Sequence, residues 1–179
     1  MDEARLAATL EPLAEIVAGA GPAKPADVAV RLEQVVAAAV TVLGVDTVGL
    51  MLLDEAGLPR VVGFSDALGR ALEQAQTESG EGPGIDTLRL RETVAVTDLA
   101  THDRYPRLIG RLRATEVRAV LSSPVWSEDG VLGNFNVALR RPHAWTTQQI
   151  RATETYARVV GLVLSVTARA VHTGRGPAD

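Results

Sequence analysis

The chain has 179 residues, 46% hydrophobic and 22% charged, a composition that suits one globular domain with short flanks and not a disordered polymer. It contains no cysteine, which excludes disulfides, thiolate metal centres, iron–sulfur clusters and thiol catalysis. A net charge of −4 supplies no positive field to draw the protein onto nucleic acid or anionic lipid.

Residues 1–26 form a short preface in which Leu6, Leu10, Leu13 and Val17 recur at helical spacing before Gly19-Ala20-Gly21-Pro22 stops the pattern. The body, residues 27–170, opens with a predicted helix from Asp27 to Leu43 that carries Val28, Leu32, Val35, Val36, Ala39 and Leu43 on one face. Thr47–Leu53 and Leu58–Phe64 read as paired strands around the Asp54–Gly57 turn. Ser65 is expected to cap a helix that runs to Gln76. A short helix follows Glu81-Gly82-Pro83-Gly84, then a strand at Val94–Val96, an irregular segment Asp98–Pro106 and a helix from Arg107 to Ala114. Val117–Trp126 and Val131–Leu139 flank an Asp129-Gly130 hairpin signal.

The last helix has the clearest start. Thr146 with Gln149 fits a capping box, and Trp145 with Ile150 fits a hydrophobic staple. From Val159 to Val166 it is apolar around most of its circumference, so a second packing surface is expected: the first helix and a second subunit. Residues 171–179 read as a flexible polar tail.

Hairpin-linked strands with long helices at both ends predict an α+β fold. A central antiparallel sheet would carry the N- and C-terminal helices on one face, with short helices and loops on the other. The acidic start Met1-Asp2-Glu3 does not suit a secretory signal, and the longest uncharged run, Gln34 to Val45, is too short to span a bilayer. The expectation is a cytoplasmic domain without membrane contact.

Several segments carry residue types suited to chemistry. The glycines of Gly80–Asp86 serve either a tight connection at positive φ, the preferred reading, or a backbone cradle for an anion; no Lys-Ser/Thr follows, so this is not a P-loop. Gly63-Phe64-Ser65-Asp66-Ala67 lacks the second glycine of a nucleophile elbow, so Ser65 reads as a cap. His102, His143 and His172 have no metal-ligand spacing, and His102 reads as a loop residue. Glu81, Asp86, Asp98 and Asp103 read mainly as caps and turn residues. Arg104, Arg107 and Arg111 form a stripe at helical spacing, read as a solvated face and not as a nucleic-acid surface. Asn134 and Asn136 alternate with Phe135 and Val137 on one strand, and Ser122 lies on its neighbour. Amides on a buried sheet face either orient a ligand or satisfy loop backbone, and both readings stay open.

The order of these segments resembles the GAF domain, a small-molecule sensor module related to PAS. The resemblance rests on Gly80-Glu81-Gly82-Pro83-Gly84-Ile85-Asp86, Val94-Ala95-Val96-Thr97-Asp98-Leu99, Arg104-Tyr105-Pro106, Val117–Pro124, Val131–Asn136 and Arg140-Arg141-Pro142. It is similar to GAF domains that precede ANTAR RNA-binding domains or sit in bacterial two-component signalling proteins. Related sequences often carry Cys at the position of Gly84, so redox sensing there is excluded. The asparagine-lysine-phenylalanine-aspartate-glutamate signature of cyclic-nucleotide GAF domains is absent, and no ANTAR segment follows, so the chain is expected to be a lone sensor or a fragment.

The resemblance implies a non-catalytic module, without cofactor or metal, that binds an unidentified small molecule. The implied site lies between the sheet and the Asp98–Pro106 loop. Phe64 and Tyr105 would supply apolar wall, Ser122, Asn134, Asn136 and Asp98 would orient polar groups, and Gly84 and Asp86 come from the glycine-rich motif. Binding would be signalled through terminal helices that form a homodimer and engage an output partner, in transcriptional or two-component-type regulation. The alternative is a dimerisation or protein-interaction module whose pocket is vestigial and closed.

Overall fold

The computed structural model describes residues 25–173, so the preface helix expected within residues 1–24 and most of the expected tail lie outside the described residues. Helix α1 (Pro25–Leu43) leads into strands β1 (Thr47–Leu53) and β2 (Pro59–Phe64), then helices α2 (Ala67–Ser79) and α3 (Pro83–Leu90). Strand β3 (Val94–Val96), a 3₁₀ turn at Leu99–Thr101 and helix α4 (Pro106–Leu112) precede β4 (Ala119–Ser127), β5 (Gly130–Leu139) and α5 (Thr147–Thr173). The strands form a single sheet in the order β2-β1-β5-β4-β3. Every pairing is antiparallel. The fold is the expected α+β arrangement.

Two local features differ from expectation. The cap of α2 is Asp66, whose side chain accepts from the Gly69 N–H. Ser65 instead accepts from the Val48 N–H through its hydroxyl oxygen at 2.9 Å, and so ties the end of β2 to β1. Asp66 wins the cap because a carboxylate beside the helix N-terminus also meets the helix dipole favourably. Helix α4 begins at Pro106, which supplies a preset φ at the first turn, and it ends at Leu112.

Strand alternation divides the side chains between two layers. Val48 and Leu50 of β1, Ala119 and Leu121 of β4, and Phe135, Val137 and Leu139 of β5 point to one face. There they meet Leu32, Val35, Val36 and Ala39 of α1 and Tyr156, Ala157, Val160 and Val163 of α5. The Phe135 and Tyr156 rings stack at 5.3 Å, and the Tyr156 hydroxyl donates to the Val35 carbonyl at 2.5 Å, joining the two long helices. Each fully buried Leu, Val or Phe side chain contributes about 1.5–3 kcal/mol of transfer free energy, so this layer dominates stability.

The expected capping box holds α5: the Gln149 N–H donates to the Thr146 hydroxyl, and the Thr146 N–H donates to the Gln149 side-chain oxygen. Within one copy, α1 and the sheet cover most of the described apolar face of α5. Leu162 remains 59% exposed.

The opposite face of the sheet is covered by α2, α3, α4 and the loop before α4. Its apolar part gathers Leu72, Ala75, Val96, Leu99, Tyr105, Leu108, Leu112 and Val120. Its other part, over the middle of the sheet, is polar. No helix among the described residues is long and apolar enough to cross a membrane.

Candidate functional site

Strand β5 lies at the centre of the sheet, and its outward alternation places Asn134 and Asn136 beneath α2 and α3. In the register Asn136 faces Gly49 of β1 and Ser122 of β4, while Asn134 faces Met51 and Pro124. Glu73 and Gln76, one helical turn apart on α2, reach down onto this patch. All four side chains are wholly buried.

The Asn136 amide donates to both carboxylate oxygens of Glu73, at 2.7 and 2.8 Å. Gln76 touches the same carboxylate at 3.5 Å, and its carbonyl oxygen accepts from the Gly84 N–H at 2.7 Å. The Asn134 amide donates to the Ser122 hydroxyl at 3.2 Å. The Thr87 hydroxyl donates to the Ser122 carbonyl.

Glycine is required at two of these positions. A Cβ on Gly49 would lie 2.0 Å from a Glu73 carboxylate oxygen, so the bare backbone lets the carboxylate rest on the strand. A Cβ on Gly84 would lie 2.7 Å from the Asn134 amide nitrogen and 2.9 Å from the Gln76 oxygen. The glycine-rich turn itself takes positive φ at Gly80 and Gly82, and its Gly84 N–H points inward to Gln76. That geometry matches the tight-connection reading of Gly80–Asp86.

Two features make the cluster unusual. Glu73 has no ion-pair partner among the described residues, and burial pushes its carboxyl up to about 8. The side-chain oxygens of Asn134 and Asn136 are buried and accept no hydrogen bond. Buried acceptors without donors are costly, roughly 1–3 kcal/mol each.

A second polar centre closes the edge of the layer. Asp86, in the first turn of α3, accepts from Arg89 at 2.7 Å, from Arg104 at 2.9 Å and from the Tyr105 hydroxyl at 2.8 Å. It thereby clamps the loop before α4 to α3. Burial, and then the Asp86 carboxylate, raise the Tyr105 hydroxyl above its ordinary range, so it stays protonated as the donor. His102 lies 4.9 Å from the Tyr105 ring, and its Nε2 is buried without a partner.

The structure brings Gly84, Asp86, Tyr105, Ser122, Asn134 and Asn136 into one buried layer. Asp98 stands apart at its margin. It caps the 3₁₀ turn, and the bidentate Arg118 guanidinium holds its carboxyl below the usual range. Phe64 does not join the site: it is 43% exposed at the end of the edge strand β2, with Arg70 over its ring. An edge strand leaves alternate side chains to solvent.

Arg107 and Arg111 pair with Glu81 and Glu78, as Arg104 does with Asp86, so the basic stripe is paired with carboxylates throughout. His143 contacts Gln149. The His172 side chain lies outside the described residues. No group of three or more His, Asp or Glu among the described residues is arranged to hold a metal. Glu73 and Gln76, the residues that reach furthest into the layer, escape sequence reading. Their only signal is that they share a helix face with Leu72 and Ala75, where polar side chains would otherwise turn to solvent.

The GAF domain family matches residues 27–164. Among curated proteins none matches the chain. Among solved structures the chain is similar to the domain of a two-component sensor histidine kinase protein from Sinorhizobium meliloti, at TM-score 0.68 and 20% identity, covering 81% of this chain and 95% of that one. It is similar to the GAF domain of a phosphoenolpyruvate-protein phosphotransferase from Coxiella burnetii, at TM-score 0.69 and 18% identity, covering 97% and 99%. It is also similar to the free methionine-R-sulfoxide reductase from Neisseria meningitidis, at TM-score 0.69 and 17% identity, covering 95% and 96%.

Proposed function

Because the chain belongs to the GAF domain family, we propose that it is a non-catalytic sensory module that binds a small molecule in the polar layer beneath α2 and α3. One observation carries the reading: two wholly buried amide oxygens, on Asn134 and Asn136, lack donors beside a buried carboxylate. Folding alone gains nothing from unpaired acceptors, whereas a ligand with donors would satisfy them. Thiol-based sulfoxide reduction has no nucleophile here, since the sequence has no cysteine.

The sheet supplies the route for a signal. Asn136 and Phe135 are neighbours on β5 and face opposite layers, so a shift of the strand on binding reaches the α1–α5 pair directly. The proposed output is an altered packing of those helices in a homodimer, read by a signalling partner in transcriptional or two-component-type regulation in the cytoplasm. Neither nucleic acid nor membrane is proposed as a direct partner.

The test is native mass spectrometry of the full chain, purified gently and then exposed to cell extract. A discrete mass adduct that is lost in Asn136→Leu supports the reading. A bare chain after exposure to extract, with wild type and variant alike, defeats it.

A second reading, a dimerisation or interaction module with a vestigial pocket, has its own supporting observations. Glu73, Gln76 and Met51 fill the layer, and none of them is exposed. On the other side of the sheet, Trp126 (41% exposed) and Leu162 (59% exposed) flank an open cleft of about 450 Å3 between α5 and the β4–β5 hairpin. A bare chain in the extract experiment, together with a dimer broken by Leu162→Glu, selects this reading.

A further inference from the structure

Glu73 is a carboxylate wholly enclosed by protein, and no cation accompanies it. The elements packed against α2 do carry charged side chains, but each of these is engaged elsewhere. Arg60 of β2 pairs with Asp54, Arg107 and Arg111 of α4 with Glu81 and Glu78, and Asp86 of α3 with Arg89 and Arg104. On α2 itself, Arg70 lies over Phe64. Strands β1 and β5 contribute no charged side chain to the patch.

The atoms around Glu73 left without partners are all acceptors: the side-chain oxygens of Asn134 and Asn136. Gln76 links the carboxylate to the Gly84 N–H, and Gly84 abuts the Asn134 amide, so the four polar side chains are contiguous. Unpaired amide acceptors around a buried carboxyl that no cation accompanies describe half of a recognition site, whose complement is a positively charged group rich in N–H donors.

Resting on the sensory reading above, we infer that the ligand of this layer is an organic cation, whose ammonium or amidinium nitrogen is recognised by the Glu73 carboxylate and the Asn134 and Asn136 amide oxygens. In its absence the Glu73 carboxyl is protonated near neutral pH, because burial disfavours the charge. Binding then ionises the carboxyl, releases one proton to solvent and leaves an ion pair inside the layer. Anions and neutral molecules of the same shape bind less well, since an anion brings no donor to the amide oxygens and an alcohol brings one O–H and no charge to pair with the carboxyl.

The test uses one carbon chain with three head groups. The full chain is titrated with butylammonium, 1-butanol and butyrate, and with potassium chloride as the inorganic cation. The side-chain amide NMR signals of Asn134 and Asn136 are followed, and proton release is measured by calorimetry in buffers of different ionisation enthalpy. Butylammonium alone is expected to shift both signals saturably, with release of about one proton at pH 7. Its affinity is expected to rise about tenfold per pH unit below the carboxyl's titration and to level above about pH 8. Glu73→Gln, which keeps the side chain's shape, is expected to weaken it at least tenfold.

Equal binding of the alcohol or butyrate overturns the inference, as does saturation by potassium ion, or full affinity in a folded Glu73→Gln. The wild-type comparison stands even if that variant does not fold. Silence from all four probes also overturns it. A mass adduct lost in Asn136→Leu would then still leave the sensory reading in place, so the two failures are separable.

Discussion

On one face of the sheet, Leu50, Leu121, Phe135 and Val137 pack against two long helices. On the other, Glu73, Gln76, Asn134 and Asn136 pack against short ones. Both layers are fully enclosed, yet they obey different physics. The first is held mainly by many interchangeable apolar contacts, with the Tyr156–Val35 hydrogen bond as a specific polar pairing within it. The second depends on particular pairings, and it is incomplete: one buried carboxyl has no cation beside it and two amide oxygens lack donors. Incompleteness on one side is affordable because the other side supplies the stability. The first layer is therefore the scaffold, and the second is the layer with unmet pairings.

Phe135→Ala is the largest expected perturbation. It removes the only aromatic side chain of the sheet strands within the scaffold core, together with its stack on Tyr156. The expected loss is about 3–5 kcal/mol, set by transfer plus the cavity left behind. Urea denaturation checks it, and the loss should be the same at every pH at which the protein is folded. A loss under 1 kcal/mol would mean that the two layers share the load, and the comparison would fail.

Glu73→Gln probes the other layer, and its signature is a slope. In the fold the carboxyl holds its proton up to about pH 8, against 4.5 for the free side chain. Between those values the folded state binds more protons than the unfolded one. The stabilising contribution is therefore complete below the lower value and declines as pH rises through the upper. The decline reaches at most about tenfold in the unfolding equilibrium per pH unit. Glutamine does not titrate, so wild type and variant should match in stability near pH 4 and diverge above it, the variant ending as the more stable. Parallel pH profiles in chemical denaturation would show that Glu73 is already ionised and compensated.

Most of the scaffold was legible in the sequence because its signals are local. Strand alternation from Val131 to Leu139, the Asp129-Gly130 turn and the Thr146–Gln149 box each lie within a few residues, and each sits where its pattern places it. The amide face of β5 was legible for the same reason. What covers it was not. Glu73 lies 63 residues from the asparagine it binds, and nothing about a glutamate on a helix says that it points inward. Gly49 was equally silent, because its reason for being glycine is the carboxylate resting on it. Phe64 misled for the converse reason: an aromatic at a strand end suggests a wall, but β2 proved to be the sheet's edge and its ring faces Arg70. Asp66 displaced Ser65 as cap because the two are adjacent, and only the strand's exit geometry decides between them.

The smallest expected effect returns to the scaffold. Thr146 accepts the Gln149 N–H at 3.2 Å, and Gln149 in turn accepts from the Thr146 N–H at 3.0 Å, so two donors at the start of α5 are satisfied reciprocally. Thr146→Ala deletes the hydroxyl and is expected to lower stability by about 1 kcal/mol, with Thr146→Ser restoring most of it. Its value lies in where the loss is felt. Helix α5 packs on the apolar face of the sheet, and its Glu154 accepts from the Thr93 hydroxyl in the link between α3 and β3; hydrogen exchange should quicken in its first turn and leave the amides of α2 and α3 relative to global stability as they were. If those amides instead lose protection alongside α5, the sheet or the Thr93–Glu154 hydrogen bond carries a disturbance from one layer to the other. That transmission is what a sensor needs, and a cap on the far side of the sheet would be the mildest way to detect it.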